Sequence, residues 1–404
     1  MKVGIIGQGY VGQTLAVGAA SSGLEVVGLD SNINVVTDLL NRKSTVPGVN
    51  SEILKSLLEK NNYFPTPNPE LLKDCEVIVI AVPTPLDQFR KPNMTFIAEA
   101  CKSIYNYAKL PALIINESTS YPGTLREFIK PLIENNSTIK FEYAVAPERV
   151  DPGNHIWKIE NTPRVVSGLS NAATEKTLSF YRTFCESVIQ VSSPEVAEAS
   201  KIFENTFRQI NIALVNEFSS IAGRIGFSAH EAIQAASTKP FGFMPFYPSI
   251  GVGGHCIPID PSYLSFIAKE YGIQAKFIEL ANTTNLGMAE KVAKRIEDYL
   301  DGNIENKLIQ IVGIAYKPNV SDMRESPVPE LIKALQKLGA KVIWHDPIVK
   351  IYKDVKSSDL NPSVDLGLIV MPHSGIDFSP WKDAQTSVLD LSANSMDYGW
   401  NKFL

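Results

Sequence analysis

A glycine-rich turn near the amino terminus constrains the fold of this chain more than any other feature. The residues KVGIIG form an apolar strand pattern, and GQGYVG then places Gly7, Gly9 and Gly12 at the start of a helix-compatible run. Gly7 suits a tight turn, Gly9 lets the backbone approach a pyrophosphate, and Gly12 lets a helix pack closely on a strand. A second strand pattern, EVVGLD, ends at Asp30. This order of strand, turn, helix and strand predicts a Rossmann-type dinucleotide-binding unit.

Asp30 indicates which dinucleotide this unit prefers. It lies eighteen residues beyond Gly12 and ends the second strand. A carboxylate there accepts hydrogen bonds from both ribose hydroxyls, and it repels the extra phosphate of NADP. The predicted cofactor is therefore NAD, with Tyr10 and Val11 of the same turn among its predicted neighbours.

Length and composition limit the remaining possibilities. At 404 residues the chain is longer than one hydrophobic core usually organises, so we expect two or three domains. A formal charge of −5 argues against a dedicated nucleic-acid binder. Four irregularly spaced cysteines, with no signal-peptide pattern and no apolar run of about 18 residues, predict a cytoplasmic protein without a membrane segment. No histidine or cysteine spacing indicates a metal site.

Two further apolar runs, residues 77–82 and 113–116, are typical of buried parallel strands. A doubly wound sheet binds ligands at the carboxyl ends of its strands. The residues at these two ends are therefore predicted neighbours of the cofactor: Pro83, Thr84, Ser118 and Thr119. Thr119 is also a candidate hydroxyl of the active site. Its alternative interpretation is that it only caps the helix that follows.

Glu148 occupies a comparable position after the next predicted strand, residues 143–146. A carboxylate at the end of a strand is placed as a catalytic group would be. The competing interpretation is an exposed loop glutamate, because glutamate is seldom buried without a partner.

Residues 194–226 predict one long helix, which begins with a capping serine, an early proline and acidic residues. Its length would be roughly 45–50 Å, which suits a spine between domains and a surface that packs against a second copy in a homodimer. Four polar residues at i, i+3, i+7 and i+10 share one face: Glu198, Lys201, Asn205 and Arg208. That face is either one wall of a site or a solvated surface.

The loop GVGGHCIPIDPSYL sets one cysteine among glycines. Cys256 is our predicted nucleophile, and Asp260 follows it four residues later. Three glycines would leave room for a bulky substrate beside the sulfur: Gly251, Gly253 and Gly254. The alternative is a small buried hydrophobic residue, which is the common state of an unpaired cysteine. We retain that interpretation for the other three cysteines: Cys75, Cys101 and Cys185.

The segment before this loop, TKPFGFMPFY, is rich in proline and aromatic residues. Its rings, including Phe246 and Tyr247, could line a pocket for a sugar or a base. They could equally pack against one another within the loop.

The last third of the chain predicts a second, smaller α/β unit. Strand patterns at residues 308–316, 341–346, 366–371 and 387–391 accompany a helix pattern at 328–338. The loop after the first of these strands carries four charged residues: Lys317, Asp322, Arg324 and Glu325. Two cations at the carboxyl end of a strand favour phosphate or carboxylate binding over plain solvation.

Together these motifs resemble the UDP-glucose/GDP-mannose dehydrogenase family over nearly the whole chain. The resemblance rests on GQGYVG, VPTP, ESTSYPGT, APERVDPG, the K-x-x-x-N of Lys201 and Asn205, GVGGHCIPIDP and YKPNVSDMRESP. GGHCIPIDP is closer to members that act on UDP-N-acetylhexosamines than to the GGSCFPKD form of UDP-glucose enzymes. Two departures are Ser249–Ile250, where many relatives have glycine and proline, and ANTTN at residues 281–285, which lacks a frequent arginine.

The resemblance implies an α/β fold of two Rossmann-like, doubly wound parallel-sheet domains joined by a central long-helix domain. The expected divisions are an NAD-binding domain at 1–193, a helical dimerisation domain with the cysteine loop at 194–300, and a UDP-sugar-binding domain at 301–404.

The implied activity is an NAD-dependent four-electron oxidation of a UDP-sugar C6 alcohol to the uronate, through a thiohemiacetal and a thioester on Cys256. Lys201, Asn205 and Asp260 would assist proton removal, and Glu148 with Thr119 would orient the hydrolytic water. The implied substrate contacts are Glu148, Arg149, Val150, Lys201, Asn205, Arg208, Phe246, Tyr247, Gly253 and Lys317. Arg324 is assigned to the cofactor, although spacing alone does not separate its role from that of Lys317.

UDP-N-acetylglucosamine or UDP-N-acetylmannosamine is the favoured substrate, for surface polysaccharide biosynthesis, with UDP-glucose as the alternative. A second alternative is a two-electron hydroxyacid-type dehydrogenase, which also joins a Rossmann unit to a long helix with lysine and asparagine but needs no thiol. A third is an NAD-binding sensor without turnover.

Overall fold

The computed structural model describes residues 1–44, 46, 49–150, 154, 156–394 and 396–404. These residues divide into two compact units. The first unit holds Met1–Glu204 and Ser262–Ile273, and the second holds Asn205–Pro261 and Gln274–Leu404. The expected three-part division of the chain stays a prediction.

Within its described residues, the first unit forms one eight-stranded sheet in the order β3-β2-β1-β4-β5-β6-β7-β8. The strands are β1 (Lys2–Ile6), β2 (Glu25–Leu29), β3 (Tyr63–Thr66), β4 (Val77–Ile80), β5 (Leu113–Asn116), β6 (Glu142–Val145), β7 (Arg164–Gly168) and β8 (Val188–Gln190). The pairs are parallel apart from β6 with β7. The strand order reverses between β1 and β4, which is the point where a doubly wound sheet binds nucleotides.

Helices cover both faces of this sheet. They are α1 (Tyr10–Ser21), α2 (Ile33–Leu40), α3 (Ser51–Glu59), α4 (Thr95–Tyr107), α5 (Lys130–Glu134) and α6 (Asn171–Tyr181), with a 3₁₀ turn at Pro69–Asp74 and a π turn at Leu125–Ile129. In β4, Val77 and Val79 join one hydrophobic core, whereas Ile78 and Ile80 join the other. This division explains the continuous apolar run, because a central parallel strand is buried on both faces.

The predicted long helix is confirmed as α7 (Pro194–Ile225). Its 32 residues correspond to about 48 Å at 1.5 Å per residue. The predicted serine cap is present, since Ser193 Oγ accepts a hydrogen bond from Val196 N at 3.4 Å. Residues 194–204 belong to the first unit and residues 205–225 to the second.

Within the described part of the second unit, four parallel strands form a sheet in the order β10-β9-β13-β14, and β11 pairs with β12. The strands are β9 (Leu308–Val312), β10 (Lys341–His345), β11 (Ile351–Tyr352), β12 (Val355–Lys356), β13 (Leu366–Ile369) and β14 (Val388–Asp390). The remaining helices of the chain are α8 (Ala229–Ser237), α9 (Asp260–Glu270), α10 (Lys276–Leu286), α11 (Met288–Tyr299), α12 (Val328–Lys337) and α13 (Ser379–Asp383). Helix α9 begins in the second unit and continues in the first. The α/β fold class with two parallel-sheet regions is confirmed.

Some details differ from the sequence patterns. Strands β3, β7 and β8 were not predicted, because polar residues or proline interrupt their apolar pattern. Among the described helices, none combines the length and apolarity needed to cross a membrane.

Candidate functional site

The glycine turn between β1 and α1 has the geometry of a pyrophosphate-binding loop. Gly7 has a φ of 95°, and a Cβ there would lie 2.4 Å from the Ala81 carbonyl oxygen. A Cβ at Gly12 would lie 1.8 Å from the Gly7 carbonyl oxygen. A Cβ at Gly9, in contrast, would meet no described atom within 4 Å. Gly7 and Gly12 are therefore required by the protein's own packing, and Gly9 leaves open space at the start of α1.

Asp30 lies beside this turn at the end of β2. Its Oδ2 accepts a hydrogen bond from Gln8 N at 2.7 Å, and its Oδ1 accepts one from Asn32 N at 2.8 Å. Each carboxylate oxygen can accept a further hydrogen bond. The carboxylate is thus held in place and keeps the acceptors that two ribose hydroxyls need.

Hydrogen bonds hold the segments that follow β4 and β5, where the predicted cofactor contacts lie. Ser118 Oγ accepts from Val82 N at 2.9 Å, and the Thr84 carbonyl accepts from Tyr263 OH at 3.1 Å. Thr119 is buried, with 9% exposure. Its alternative role as a helix cap is wrong, because the next helical turn begins only at Leu125, with Thr124 as its cap.

Glu148 is buried, so its interpretation as an exposed loop glutamate is wrong. Its Oε1 accepts from the backbone N atoms of Arg149 and Val150, both at 2.6 Å, and its Oε2 accepts from Arg164 at 3.0 Å. Burial by itself would raise the pKa of Glu148, but the charge of Arg164, the two N–H groups and the charge of Lys201 hold it below its usual value. Glu148 is therefore ionised at neutral pH.

Sequence reasoning missed the side chains that hold Glu148. Arg164, the first residue of β7, also contacts Glu117 at 2.8 Å, and Glu117 accepts a hydrogen bond from Tyr181. The sequence offered one signal for Arg164: it is a charged residue that directly precedes two apolar residues, Val165 and Val166.

The polar stripe of α7 is not uniformly solvated. Glu198 is buried, and its carboxylate accepts from Gly123 N at 2.7 Å and Leu125 N at 2.9 Å. Burial raises the pKa of Glu198 to about 8, although these N–H groups lower it. Lys201 is buried as well, at 8% exposure, and Arg208 is exposed. The solvated-surface interpretation is therefore wrong for Glu198 and Lys201.

In the second unit, the start of α9 brings together two predicted catalytic residues. Asn205 Nδ2 donates to Asp260 Oδ2 at 2.7 Å, and Asp260 is 1% exposed. The Cys256 carbonyl accepts from Ile259 N and Asp260 N at 3.1 and 2.8 Å. These bonds fix the backbone turn between the cysteine and the carboxylate.

Cys256 differs from the other cysteines in exposure. Its side chain is exposed, so it is not a small buried hydrophobic residue. The others are buried, and burial raises their pKa values to about 12, 12 and 11 for Cys75, Cys101 and Cys185 respectively.

The glycines of the cysteine loop are needed for packing. A Cβ at Gly253 would lie 2.9 Å from Tyr316 Cβ, and one at Gly254 would lie 2.7 Å from the Tyr316 ring. Gly251 has a φ of 129°. Gly253 and Gly254 therefore admit the Tyr316 side chain, and room for a substrate beside the sulfur stays a prediction.

Arg324 lies in the loop that packs on these glycines. Its carbonyl accepts from Gly254 N at 3.2 Å, and its guanidinium contacts Asp322 at 2.6 Å. The hydrogen bond to Asp322 raises the pKa of Arg324. Lys317, in the same loop, is half-buried.

Aromatic and amide side chains support the segment before the cysteine loop. Phe246 packs on Phe207 with ring centroids 5.8 Å apart, and Tyr247 stacks on His230 at 5.3 Å. Asn216 accepts from Ser249 N at 2.8 Å and contacts Asn285 at 3.2 Å. Ser249 and Asn285, one from each of the two departures, are therefore linked through Asn216.

Family models match most of the chain. The NAD binding, central and UDP binding domains of the UDP-glucose/GDP-mannose dehydrogenase family match residues 1–185, 195–286 and 310–390. The chain belongs to this family.

Curated members of the UDP-glucose/GDP-mannose dehydrogenase family resemble the chain over most of its length. The UDP-N-acetyl-D-glucosamine 6-dehydrogenase of Pseudomonas aeruginosa is 34% identical over 357 residues, which cover 86% of this chain and 83% of that protein. The UDP-N-acetyl-D-mannosamine dehydrogenase of Methanococcus maripaludis is 35% identical, with 86% and 79% covered. A solved structure, the UDP-D-ManNAc dehydrogenase of Pyrococcus horikoshii, is 28% identical with a TM-score of 0.87 and 99% and 98% covered.

As a member of this dehydrogenase family, the protein is an NAD-dependent oxidoreductase with a UDP-sugar substrate. NAD as cofactor is thus confirmed, in agreement with the open space at Gly9 and the carboxylate of Asp30.

Proposed function

We propose that this dehydrogenase oxidises the C6 alcohol of a UDP-N-acetylhexosamine to the carboxylate through a thioester on Cys256. The observation that carries the proposal is that Cys256 is exposed, whereas Cys75, Cys101 and Cys185 are buried. We propose that the guanidinium of Arg324, whose loop contacts the cysteine loop, favours the thiolate of Cys256. A thiol is useful in a four-electron oxidation because a thiohemiacetal still has a hydride to give, and the resulting thioester hydrolyses readily.

Removal of the alcohol proton is assigned to Lys201, Asn205 and Asp260 with a water molecule, through which the proton would pass to the Asp260 carboxylate. Asn205 and Asp260 are hydrogen-bonded to each other, so the amide is oriented by a buried carboxylate. Lys201 is a buried cation that attracts the developing alkoxide. Two NAD molecules, bound in turn, would each accept one hydride. The residues that we propose hold NAD are Gly7, Gly9, Tyr10, Val11, Gly12, Asp30, Pro83, Thr84, Ser118, Thr119 and Arg324.

Thioester hydrolysis is assigned to Glu148, with Thr119 as a hydrogen-bonding partner of the water. The support is that Glu148 is a buried carboxylate with a lowered pKa, so it can accept a proton at neutral pH. Lys201 and Asn205 would stabilise the oxyanion of this step.

For the sugar, we propose UDP-N-acetylglucosamine first and UDP-N-acetylmannosamine second, with the product used for surface polysaccharide. The names of the relatives at 34% and 35% identity support a UDP-N-acetylhexosamine but do not separate the two sugars, and UDP-glucose is the alternative. Substrate contacts are proposed for Glu148, Arg149, Val150, Lys201, Asn205, Arg208, Phe246, Tyr247, Gly253 and Lys317.

A homodimer through α7 is also proposed. The helix carries exposed apolar side chains, among them Phe203 (67%), Leu214 (60%) and Ile225 (71%). Such a surface is typical of a protein interface. The cytoplasmic location stays a prediction from the sequence.

The test is the amount of NADH formed per UDP-sugar consumed. UDP-N-acetylglucosamine, UDP-N-acetylmannosamine, UDP-N-acetylgalactosamine and UDP-glucose would be compared side by side. We expect two NADH with one preferred sugar, and loss of complete turnover in Cys256→Ser but not in the matched buried variant Cys101→Ser. One NADH per sugar, or full turnover by Cys256→Ser, would refute the thioester route and favour the two-electron alternative.

A further inference from the structure

The first unit contains a buried charged cluster of which the proposed mechanism uses only one member directly. Arg164 lies between two carboxylates, 2.8 Å from Glu117 Oε1 and 3.0 Å from Glu148 Oε2. The side chains of Arg164, Glu117 and Glu148 are 4%, 0% and 5% exposed respectively. Tyr181 donates to the same Oε1 of Glu117, and its ring lies 4.6 Å from the Arg164 guanidinium carbon. One guanidinium therefore divides its charge between two carboxylates in a region that excludes solvent.

The charges around this cluster determine which carboxyl takes up a proton. With both carboxylates ionised, one negative charge exceeds the charge of Arg164. The other groups that act on the cluster are Lys201, which favours ionised Glu148, and Cys185, a thiol whose pKa burial raises to about 11 and which stays neutral. Burial raises the pKa of Glu117 to about 7, against the opposing charge of Arg164, and Glu148 adds to the increase.

Hydrogen bonding also indicates that Glu117, rather than Glu148, takes up the proton. Glu148 accepts three hydrogen bonds, two from backbone N–H groups and one from Arg164. Oε2 of Glu117 contacts no hydrogen-bond donor among the described residues. A proton on this oxygen breaks no hydrogen bond, whereas a proton on Glu148 would weaken several.

We propose that Arg164 is a positioning residue shared by Glu117 and Glu148, and that the charge on Glu117 sets how strongly Glu148 activates the hydrolytic water. This inference rests on the proposed function, in which Glu148 activates that water. When Glu117 is protonated, the charge of Arg164 acts on Glu148 alone and makes it a weaker base. When Glu117 ionises, the two carboxylates compete for Arg164, and Glu148 becomes a stronger base. Thioester hydrolysis should rise with pH as Glu117 loses its proton, near pH 7.

The kinetic test uses two conservative variants of the cluster. Thioester on Cys256 would be formed with one equivalent of UDP-sugar and an excess of NAD, and its decay followed by rapid acid quench and intact mass between pH 5.5 and 9. In Glu117→Gln the rise near pH 7 should disappear, and hydrolysis at pH 8 should slow by roughly 3- to 10-fold, as a weaker base predicts. In Tyr181→Phe the ring over Arg164 remains, but Glu117 loses a hydrogen bond that lowers its pKa. The rise should then move to higher pH.

A control variant and an independent readout separate this role from general damage to the fold. Tyr143→Phe removes a buried hydroxyl of β6 that contacts no hydrogen-bond partner among the described residues, so the pH profile should not change. The independent readout is the infrared carbonyl band of protonated glutamate, followed against pH in ¹³C-glutamate-labelled enzyme without substrate. In the wild type this band should include one glutamate that titrates near pH 7, and in Glu117→Gln that titration should be absent.

The outcomes distinguish this inference from the proposed function. If Glu148→Gln fails to retain the adduct on Cys256, the proposed role of Glu148 is wrong. If Glu148→Gln retains the adduct but Glu117→Gln keeps the wild-type pH profile, only the inference about Arg164 and Glu117 is wrong. An unchanged infrared titration in Glu117→Gln would also overturn it, whatever the activity.

Discussion

Alanine at Gly9 should weaken NAD binding without destabilising the protein, whereas alanine at Gly12 should destabilise the protein itself. A Cβ at Gly9 meets no described atom within 4 Å, and the residue has φ −77° and ψ −159°, which alanine adopts readily. Gly9→Ala should therefore leave the apo-enzyme as stable as wild type or stabilise it by about 0.4–1 kcal/mol, because the unfolded chain loses freedom.

The cost of Gly9→Ala should fall on the cofactor. Its methyl group would occupy the open space through which a pyrophosphate approaches the first N–H groups of α1. Loss of one hydrogen bond to a charged group costs about 1.5–3 kcal/mol, so the Kd for NAD should rise by roughly 10- to 100-fold.

Gly12→Ala is the matched variant. Its Cβ would lie 1.8 Å from the Gly7 carbonyl oxygen, so α1 must move away from the turn. Overpacking of this kind costs about 1–3 kcal/mol, which thermal unfolding of the apo-enzyme would detect. NAD affinity would be measured by calorimetry. Wild-type affinity in Gly9→Ala would refute the assignment of this turn to the pyrophosphate, and wild-type stability in Gly12→Ala would refute the packing argument.

Three further predictions use other parts of the chain. Asp30→Ser should lower the preference for NAD over NADP at least roughly 10-fold, since it removes the charge that repels the 2′-phosphate; kcat/KM for both cofactors would check it, and an unchanged ratio would contradict it. Burial raises the pKa of Glu198 to about 8. Because this group ionises more readily in the unfolded chain, its contribution to the free energy of unfolding should fall by about 3 kcal/mol between pH 6 and 9. Urea unfolding of Glu198→Gln should lose this part of the pH dependence, whereas Glu195→Gln, altered at a more exposed residue, should retain it. Leu214→Glu should lower the molar mass in light scattering from that of a dimer to that of a monomer, and Glu217→Gln should not.

Local patterns predicted the parts of this protein in which neighbouring residues decide the structure. The turn at Gly7, Gly9 and Gly12 and the long helix α7 follow from residues within a few positions of one another, and both are present. Strands that contain polar residues, such as β7, were missed because their burial depends on the strands beside them.

The environment of each catalytic candidate could not be derived in the same way. The sequence left Glu148 as either a catalytic or an exposed carboxylate, and the stripe of α7 as either a site wall or a solvated surface. Burial and distant partners decided both, since Arg164 lies 16 residues from Glu148 and Gly123 lies 75 residues from Glu198.

The sequence by itself determined the dinucleotide turn, the preference for NAD, the long helix and the resemblance that the family models confirm, because each depends on residue types at fixed spacing. Only the tertiary structure decided which ionisable groups are buried, and hence that Glu148 is ionised while Glu117 and Glu198 hold protons near neutral pH. The physical reason is that a pKa depends on solvent exclusion and on nearby charges, and both come from parts of the chain that are far apart in sequence.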